Sequence, residues 1–478
     1  MDLRLPEHSP WRGRTMALTT EVSTQGSARQ DLEGLRCSAV IVGGGQAGLS
    51  MSYCLTQRGV DHVLLERDRV AHDWADRRWD SFCLVTPNWQ CQLPGFPYAG
   101  DDPDGFMIRD EVIRYLEHYA KSFGPPVVEG VTATRLRRDR EGCYLVGTSR
   151  GELIADHVVL ATGPYQVPRM PRLADRLPDE LTQIHSSQYR SPDRLPPGEV
   201  LVVGTGQSGC QIAEDLHLAG RQVHLAVGSA PRVARFYRGR DVVAWLEDIG
   251  YYRKAVSEFA DADTVRFRVN HYVTGRDGGR DIDLRAFARD GMRMYGRLVG
   301  ATGAALRFAP DLAKNLDHAD AVSESIKDSI DSYIDAHHID APPEPRYTPV
   351  WAPEQESTQL ELGDTGITSV AWSTGFGRDD RWVSVFDGRG HPTHDRGVPP
   401  VPTTCFGGSR APRPAPIVSP DCPLYVSATN TRHRRSTISG RTIRWAYLTR
   451  LRTRSSSLSV RGKRRWVRCR ATRTMKTG

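Results

Sequence analysis

The chain has 478 residues, of which 64 are Lys or Arg, 57 are Asp or Glu, and 39% are hydrophobic. This length and apolar content allow two or three domains with cores of their own. No run of about 18 apolar residues occurs, which argues against a membrane span, and no apolar segment follows Arg4, Arg12 and Arg14, which argues against a secretory signal. Residues 1–34 are expected to form a disordered leader.

The nine cysteines are widely spaced and include no CxxC motif; Cys83 and Cys91 are the closest pair. This spacing favours reduced thiols in a cytoplasmic protein. It argues against a zinc site and against a closely spaced redox-active pair. No metal site is therefore predicted.

The first motif follows residue 35. The run AVIV at 39–42 predicts a buried parallel strand, GGGQAG follows at 43–48, and residues 49–57 predict a helix. A second strand at 62–65 ends at Glu66, where a carboxylate would bind ribose hydroxyls. The order strand, glycine-rich turn, helix, strand and acid predicts a dinucleotide-binding unit.

Each glycine of this motif has a separate physical task. Gly43 makes the tight turn, Gly45 lets the backbone approach a pyrophosphate, and Gly48 allows the helix to pack closely on the strand. The N-terminus of the helix would then face the phosphates.

A second unit of the same kind follows about 160 residues later. The run VLVV at 200–203 leads into GTGQSG at 204–209, a predicted helix, and a strand at 222–227. No acid ends that strand; Ser229 and Arg232 stand there instead, which favours the 2′-phosphate of NADPH over a free 2′-hydroxyl. The alternative for Arg232 is an ordinary surface arginine, because other arginines follow closely.

Two similar segments bracket the second unit. VVLATG at 158–163 precedes it and AWSTG at 371–375 follows it. We interpret both as crossings between two domains. The predicted fold class is therefore α/β, with two Rossmann-type dinucleotide-binding domains, the second, NADPH-binding domain being inserted in the first.

The predicted domain boundaries follow from this arrangement. After the leader come the first part of the first dinucleotide-binding domain at 35–165 and the NADPH-binding domain at 166–350, which carries a helical insertion at about 240–345. The second part of the first domain is assigned to 351–440, and a basic, disordered tail to 441–478.

With these motifs, the chain resembles the two-dinucleotide-binding flavoproteins, and among them the flavin-containing monooxygenase-like branch, over roughly residues 37–395. HSSQYR at 185–190 is similar to the end of that branch's FxGxxxHxxxY signature, although Asp179 and Leu181 replace the aromatic residue and the glycine. The resemblance implies FAD at the first site and NADPH at the second, so the first domain, at 35–165 and 351–440, is the FAD-binding domain, in which the NADPH domain is inserted. It also implies that Trp74 and Arg78 cover the flavin pyrophosphate and that Asn88 supplies a catalytic hydrogen bond. The residues predicted to bind cofactors are Gly43, Gly45, Gln46, Gly48, Glu66, Trp74, Arg78, Thr162, Gly163, Gly204, Gly206, Gln207, Ser208, Gly209, Ser229 and Arg232.

The resemblance further implies that NADPH reduces the flavin, that O₂ adds at flavin C4a, and that the resulting peroxide oxygenates a small organic nitrogen, sulfur or carbonyl compound. Most of this chemistry belongs to the cofactor, so no catalytic triad is needed. Two alternatives stay open: an NADPH oxidase or reductase without oxygen transfer, and a damaged, non-catalytic flavoprotein. The expected partners are a small-molecule substrate and O₂, without a membrane, and the sequence leaves a homodimer open.

The C-terminal region has an unusual charge. Residues 422–478 contain sixteen Lys and Arg and no Asp or Glu. They could form an arm that binds nucleic acid or another polyanion nonspecifically, a disordered extension, or the product of a shifted reading frame. The third interpretation is favoured because PLYV at 423–426 and the Arg-rich turn after it resemble the closing strand and turn of the family, whereas the likeness stops after Gly440.

Overall fold

The computed structural model describes residues 31–254 and 270–384 and the short strand Tyr425–Val426. Within these residues the α-helices are α1 (Gln46–Thr56), α2 (His72–Asp76), α3 (Arg109–Phe123), α4 (Gln207–Leu218), α5 (Val242–Ile249), α6 (Leu284–Arg289) and α7 (Leu312–His337).

The strands form two main parallel arrangements and several short antiparallel pairs. Those of the N-terminal part are β1 (Arg36–Val42), β2 (His62–Leu65), β3 (Gln92–Leu93), β4 (Phe96–Pro97), β5 (Val127–Val128), β6 (Ala133–Arg138), β7 (Tyr144–Thr148), β8 (Gly151–Leu160) and β9 (Val167–Pro168). Those of the remainder are β10 (Thr182–His185), β11 (Glu199–Val203), β12 (Val223–Ala226), β13 (Phe236–Tyr237), β14 (Arg240–Asp241), β15 (Arg293–Tyr295), β16 (Leu298–Thr302), β17 (Ala305–Phe308), β18 (Gln359–Glu361), β19 (Ile367–Trp372), β20 (Phe376–Gly377) and β21 (Tyr425–Val426).

The first sheet has the order β5-β2-β1-β8-β7-β6, and β21 pairs antiparallel with the end of β8. Strands β5, β2, β1 and β8 are mutually parallel. Val40 and Ile41 of β1 are completely buried and belong to different core clusters, one on each face of the sheet. Burial on both faces explains why this strand is apolar throughout rather than alternating.

The second sheet has the order β10-β19-β11-β12-β15 and is parallel throughout. Its central strand β11 is buried on both faces, as β1 is: Val200 and Val202 belong to one core cluster and Leu201 to another. Helix α4 follows β11 directly. The prediction of an α/β fold with parallel sheets is confirmed.

The segments between the two sheets lie side by side. Val167–Pro168 pairs antiparallel with Phe376–Gly377, immediately beyond the predicted crossings at 158–163 and 371–375. Strand β19, which the sequence analysis assigns to the second part of the FAD domain, pairs instead between β10 and β11 of the second sheet. That assignment therefore needs correction, because the boundary at residue 350 separates strands that are hydrogen-bonded neighbours.

The predicted leader also needs a correction. Leu32 is completely buried, and its N–H donates to the carbonyl of Arg150 at 2.9 Å. Leu32, which the prediction assigns to the leader, is therefore part of the packed structure. Residues 1–30 and the tail at 441–478 lie outside the described residues.

The predicted helical insertion at about 240–345 contains helices and strands together. Helices α5, α6 and α7 are present, but β15 extends the second sheet, and β16 and β17 form an antiparallel sheet with β18, which follows the predicted insertion. Among the described residues, no helix combines the length and the apolar character needed to cross a membrane.

Candidate active site

One cavity of about 990 Å³ is lined by residues from both dinucleotide-type units. It lies where β1, β2 and β8 end, which is the edge at which open parallel sheets bind ligands, and the start of α4 borders it from the second unit. Ten of the predicted cofactor residues line it: Gly43, Gly45, Gln46, Glu66, Trp74, Arg78, Thr162, Gly163, Gln207 and Ser208.

The glycines of the first motif serve two different purposes. Gly43 has φ 111°, and a Cβ there would lie 2.4 Å from the carbonyl oxygen of Ala161. A Cβ on Gly48 would lie 1.8 Å from the carbonyl oxygen of Gly43, so Gly48 permits the close approach of α1 to the turn. Gly45 has no atom within 4 Å of its Cβ position and borders the cavity. The open face at Gly45 and the N-terminus of α1 fit a dinucleotide pyrophosphate.

Glu66 lies at the end of β2, as the sequence predicts. Its Oε2 accepts the N–H of Gly44 at 2.6 Å, and its Oε1 accepts the N–H of Asp68 at 2.9 Å. These two bonds fix the carboxylate at the cavity wall. Each oxygen keeps a further lone pair, so the carboxylate can also accept ribose hydroxyls.

Arg78 lies among aromatic rings at the cavity. Its guanidinium carbon is 5.1 Å from the ring centroid of Trp74, 5.3 Å from that of Tyr165 and 5.8 Å from that of Phe82. Cation–π contacts of this kind hold the guanidinium without neutralising it. Trp74 and Arg78 are thus adjacent in space, and both can face an anionic cofactor group.

The second motif repeats the close packing of the first. Gly204 has φ 101°, and a Cβ there would lie 2.8 Å from the carbonyl oxygen of Ser373; a Cβ on Gly209 would lie 1.9 Å from the carbonyl oxygen of Gly204. Gly206 is the residue before α4, in extended conformation. These three glycines shape the turn and do not line the cavity themselves.

Gln207 and Ser208 begin α4 at the cavity. The Gln207 side chain binds the backbone of Val273 twice: its Nε2 donates to the carbonyl at 2.6 Å and its Oε1 accepts the N–H at 3.3 Å. Ser208 is the second residue of the helix and also lines the cavity. In the first crossing, the Thr162 hydroxyl accepts from Gln166 at 2.9 Å, and Gly163 has φ 71°.

Asn88 does not occupy the position expected of a catalytic residue. It is 3% exposed, its Oδ1 accepts the N–H of Met107 at 2.9 Å, and its Nδ2 donates to the carbonyl of Asp102 at 2.9 Å. Both ends of the amide hold the backbone of the loop, whereas the neighbouring Val85 and Thr86 line the cavity. The predicted catalytic role of Asn88 is therefore not supported by its position.

Arg232 also differs from its prediction. Its side chain is 4% exposed, its Nε lies 2.7 Å from Asp320 Oδ1, and its guanidinium carbon lies 3.8 Å from the ring centroid of Tyr347. An arginine buried in an ion pair and under a ring is not available to a 2′-phosphate. Ser229 is exposed near the end of β12 and stays a candidate.

Several cavity residues were not among the predicted site residues. Gln211 of α4 and Phe376 of β20 line the cavity, together with Ser186 and Ser187. His185 stands behind them: its Nε2 lies 3.0 Å from the carbonyl oxygen of Gly375, and burial lowers its pKa. His185 is thus a structural group that links the end of β10 to the second crossing, and its lowered pKa favours the neutral imidazole. Gln211 could have been predicted to line the cavity, because it lies one helical turn after Gln207. Phe376 could not, because its position depends on how the second crossing packs against the first.

The cysteines of the described residues are all free, and their chemistry is restricted. Burial raises the pKa of Cys83 and of Cys91 to about 12. Nucleophilic thiolate is therefore scarce at neutral pH, although Cys91 lines the cavity.

Comparison with known proteins agrees with this geometry. The sequence profile of the family described as pyridine nucleotide-disulphide oxidoreductase matches residues 40–316. The chain belongs to this family. That membership agrees with the paired motifs and their common cavity.

Individual relatives indicate which kinds of oxidoreductase the chain is similar to. The chain is 29% identical over 377 residues to an uncharacterized CzcO-like oxidoreductase of Geobacillus kaustophilus, covering 77% of this chain and 90% of that protein. It is 34% identical over 198 residues to indole-3-pyruvate monooxygenase YUCCA1 of Oryza sativa, covering 41% of this chain and 48% of that enzyme.

Among solved structures, a variant of a flavin monooxygenase from Stenotrophomonas maltophilia matches with a TM-score of 0.51 and 19% identity, covering 77% of this chain and 86% of that chain. This likeness shows a shared fold. The family and the relatives confirm the resemblance to flavin-containing monooxygenases, the class of flavin-dependent oxidoreductase, and FAD and NADPH as the cofactors.

Proposed function

We propose that the pyridine nucleotide-disulphide oxidoreductase family member described here is an FAD- and NADPH-dependent monooxygenase that oxygenates a small organic nitrogen, sulfur or carbonyl compound. FAD binds at the first motif and NADPH at the second. The observation that carries this proposal is the single cavity lined by the helix starts of both motifs. Hydride transfer requires the two cofactors to meet, and a shared cavity allows that.

At the first motif, the backbone near Gly45 and Gln46 binds the FAD pyrophosphate, and Glu66 binds the ribose. Arg78 adds positive charge near the phosphates while Trp74 holds its guanidinium. Thr162 and Gly163 line the same cavity. When bound, a flavin supplies hydride acceptance and oxygen activation; the protein supplies orientation and excludes water.

At the second motif, the N-terminus of α4 and the Ser208 hydroxyl bind the NADPH pyrophosphate. Ser229 is the candidate for the 2′-phosphate, since it is exposed beyond β12. Arg232 is assigned a structural role instead, because Asp320 and Tyr347 enclose its guanidinium.

The chain path supports the proposal that the NADPH domain is an insertion. The first sheet is followed along the chain by the complete second sheet, and β21 then pairs with β8 of the first. The pairing of β9 with β20 brings the outgoing and returning segments together. We place the insertion between residues 166 and 375, which includes β19.

Oxygen transfer is proposed rather than dithiol chemistry because of the cysteines. A flavin disulfide reductase needs a reactive thiol pair near the flavin, and the raised pKa values of Cys83 and Cys91 disfavour the thiolate. The partial similarity to indole-3-pyruvate monooxygenase supports the same choice.

The test is the amount of hydrogen peroxide released per NADPH consumed, with FAD-reconstituted protein and a panel of one tertiary amine, one thioether and one cyclic ketone. For a monooxygenase, one compound should lower the peroxide yield and appear as its oxygenated product. Peroxide release equal to NADPH consumption with every compound would indicate an NADPH oxidase, the alternative left open by the sequence.

A further inference from the structure

Helix α4 carries a row of three polar residues on one face. Gln207, Gln211 and Asp215 are spaced four residues apart, so they lie one above another along the helix. The first two line the cavity. Asp215, the last, lies one turn further from the cavity and is 5% exposed.

Asp215 accepts three hydrogen bonds from three separate segments. The Ser81 hydroxyl donates to Oδ1 at 2.6 Å, Arg276 Nη1 donates to Oδ1 at 2.8 Å, and the Tyr189 hydroxyl donates to Oδ2 at 2.7 Å. Burial is the main cause that raises the pKa of Tyr189, and the negative charge of Asp215 raises it further. The phenol therefore stays protonated and remains a hydrogen-bond donor.

The donors connect different parts of the molecule. Ser81 belongs to the segment after α2 that leads to the cavity residues 84–86, and Tyr189 follows β10 in the second unit. Trp79, two residues before Ser81, packs in the same core cluster as Tyr189 and Cys210 of α4. The segment 79–83 of the first unit is thus fixed on the second unit.

One turn before Asp215, α4 makes a second contact with the same segment of the first unit. Gln211 Nε2 donates to the carbonyl of Cys83 at 3.4 Å, two residues beyond Ser81. A buried carboxylate with three donors tolerates little displacement, because each lost bond leaves a polar group unsatisfied. The two contacts therefore fix the position of α4 against the wall of the cavity.

We propose that Asp215 is a positioning residue that holds the second unit at the distance and angle needed for hydride transfer from NADPH to the flavin. Asp215 reaches no cofactor in this role and acts through Ser81 and the cavity segment that follows it. The proposal rests on the proposed function of the two motifs.

The experiment compares Asp215→Asn with the parent protein. The amide keeps the shape of the side chain but replaces one acceptor by a donor, which conflicts with Ser81, Arg276 or Tyr189. The exposed Asp193→Asn is the matched control. FAD content, the NADPH dissociation constant and the rate constant of anaerobic flavin reduction are measured for each protein, with dithionite reduction as the chemical reference.

For Asp215→Asn, we expect reduction by NADPH to slow by roughly 10- to 100-fold, since small misplacements of reacting groups have effects of that size. FAD content, NADPH affinity and dithionite reduction should not change. Ser81→Ala, a milder variant, should slow the reaction in the same direction. An unchanged rate constant in both variants, or a slower reaction accompanied by loss of FAD, would overturn the proposal.

A second readout separates this proposal from the proposed function. If NADPH does not reduce the parent flavin, the proposed function fails. The hydrogen-exchange rate of the backbone at 78–86 then tests separately whether Asp215 holds this segment in place. Faster exchange there in Asp215→Asn or Ser81→Ala, compared with Asp193→Asn, would show that the contact holds the segment. Equal exchange would refute the positioning role.

Discussion

At the scale of single residues, the glycines of the first motif differ in what surrounds them. Gly43 and Gly48 face backbone atoms, whereas the Cβ position of Gly45 faces open cavity. A side chain at Gly45 therefore does not disturb the fold, but it occupies the space assigned to a pyrophosphate. Sequence spacing predicts all three glycines and cannot distinguish these surroundings.

The first prediction concerns Gly45→Val. We expect the dissociation constant for FAD to rise by at least about tenfold, or ~1.4 kcal/mol, with little change in melting temperature. Flavin absorbance of the reconstituted protein measures this. Gly363→Val is the control, since Gly363 is exposed and also has open space at its Cβ position. FAD binding equal to that of the control would remove the assignment of the first site.

The burial and pairing of Arg232 could not be predicted from the residues next to it in the sequence. The absence of an acid after β12 is a local feature, but the partner that occupies Arg232 is Asp320, which follows 88 residues later on α7. The local sequence shows a positively charged residue after β12, but it does not show that Asp320 is the ion-pair partner of that residue. The same holds for Asn88, whose amide is bound by the backbone of Asp102 and Met107.

The second prediction therefore concerns Arg232→Ala. Removing one partner of a buried ion pair costs about 3 kcal/mol, so the melting temperature should fall. The ratio of the KM values for NADPH and NADH should stay unchanged, because the guanidinium does not reach the cofactor. Arg289→Ala, at an arginine whose side chain is 56% exposed, is the control. A selective rise in the KM for NADPH would restore the predicted 2′-phosphate contact.

A third prediction concerns pH and His224. This histidine is completely buried; its Nε2 lies 2.6 Å from Glu199 Oε2 and its Nδ1 lies 2.9 Å from the Tyr295 hydroxyl. Burial lowers its pKa from the ordinary 6.5, although Glu199 opposes the shift. The unfolded chain then binds the proton more readily than the folded protein, so stability is present above about pH 6.5 and is lost as pH falls.

The measurement is the melting temperature between about pH 7.5 and pH 5.5. The parent should lose stability across this range, and His224→Gln should lose less, since it removes one titrating group. His185, whose pKa is also lowered by burial, should account for part of the remaining loss. Identical pH profiles for parent and variant would contradict this account of His224.

At the scale of elements, both motifs use the same packing of a helix on a turn. The Cβ of a residue at Gly48 would meet the Gly43 carbonyl oxygen at 1.8 Å, and one at Gly209 would meet the Gly204 carbonyl oxygen at 1.9 Å. This equivalence follows from strand, turn and helix in succession, which is why the sequence predicted both units. The position of β19 was not predictable in this way, because a strand's neighbours are set by tertiary pairing.

The fourth prediction uses this equivalence. Gly48→Ala and Gly209→Ala should each cost about 1–3 kcal/mol through overpacking, with opposite functional results. Gly48→Ala should reduce FAD content, whereas Gly209→Ala should retain FAD and lose reduction by NADPH. Flavin absorbance and anaerobic NADPH titration distinguish the two. Equal loss of FAD in both variants would contradict the assignment of one cofactor to each motif.

At the scale of the whole molecule, the two units form one cavity: the first contributes the carboxyl ends of β1 and β2, and the second contributes the start of α4 and the residues after β10. The short pairing of β9 with β20 and the contacts of α4 with the segment 79–83 hold the units together there. The sequence predicted two units and their crossings. It could not predict the common cavity, which depends on how the units pack.

The most direct test of this account is the visible spectrum of the purified full-length protein, reconstituted with FAD and then treated with NADPH under anaerobic conditions. The account predicts a flavin spectrum that NADPH bleaches, because both cofactors share the cavity. A protein that takes up no FAD, or a bound flavin that dithionite reduces but NADPH does not, would contradict it.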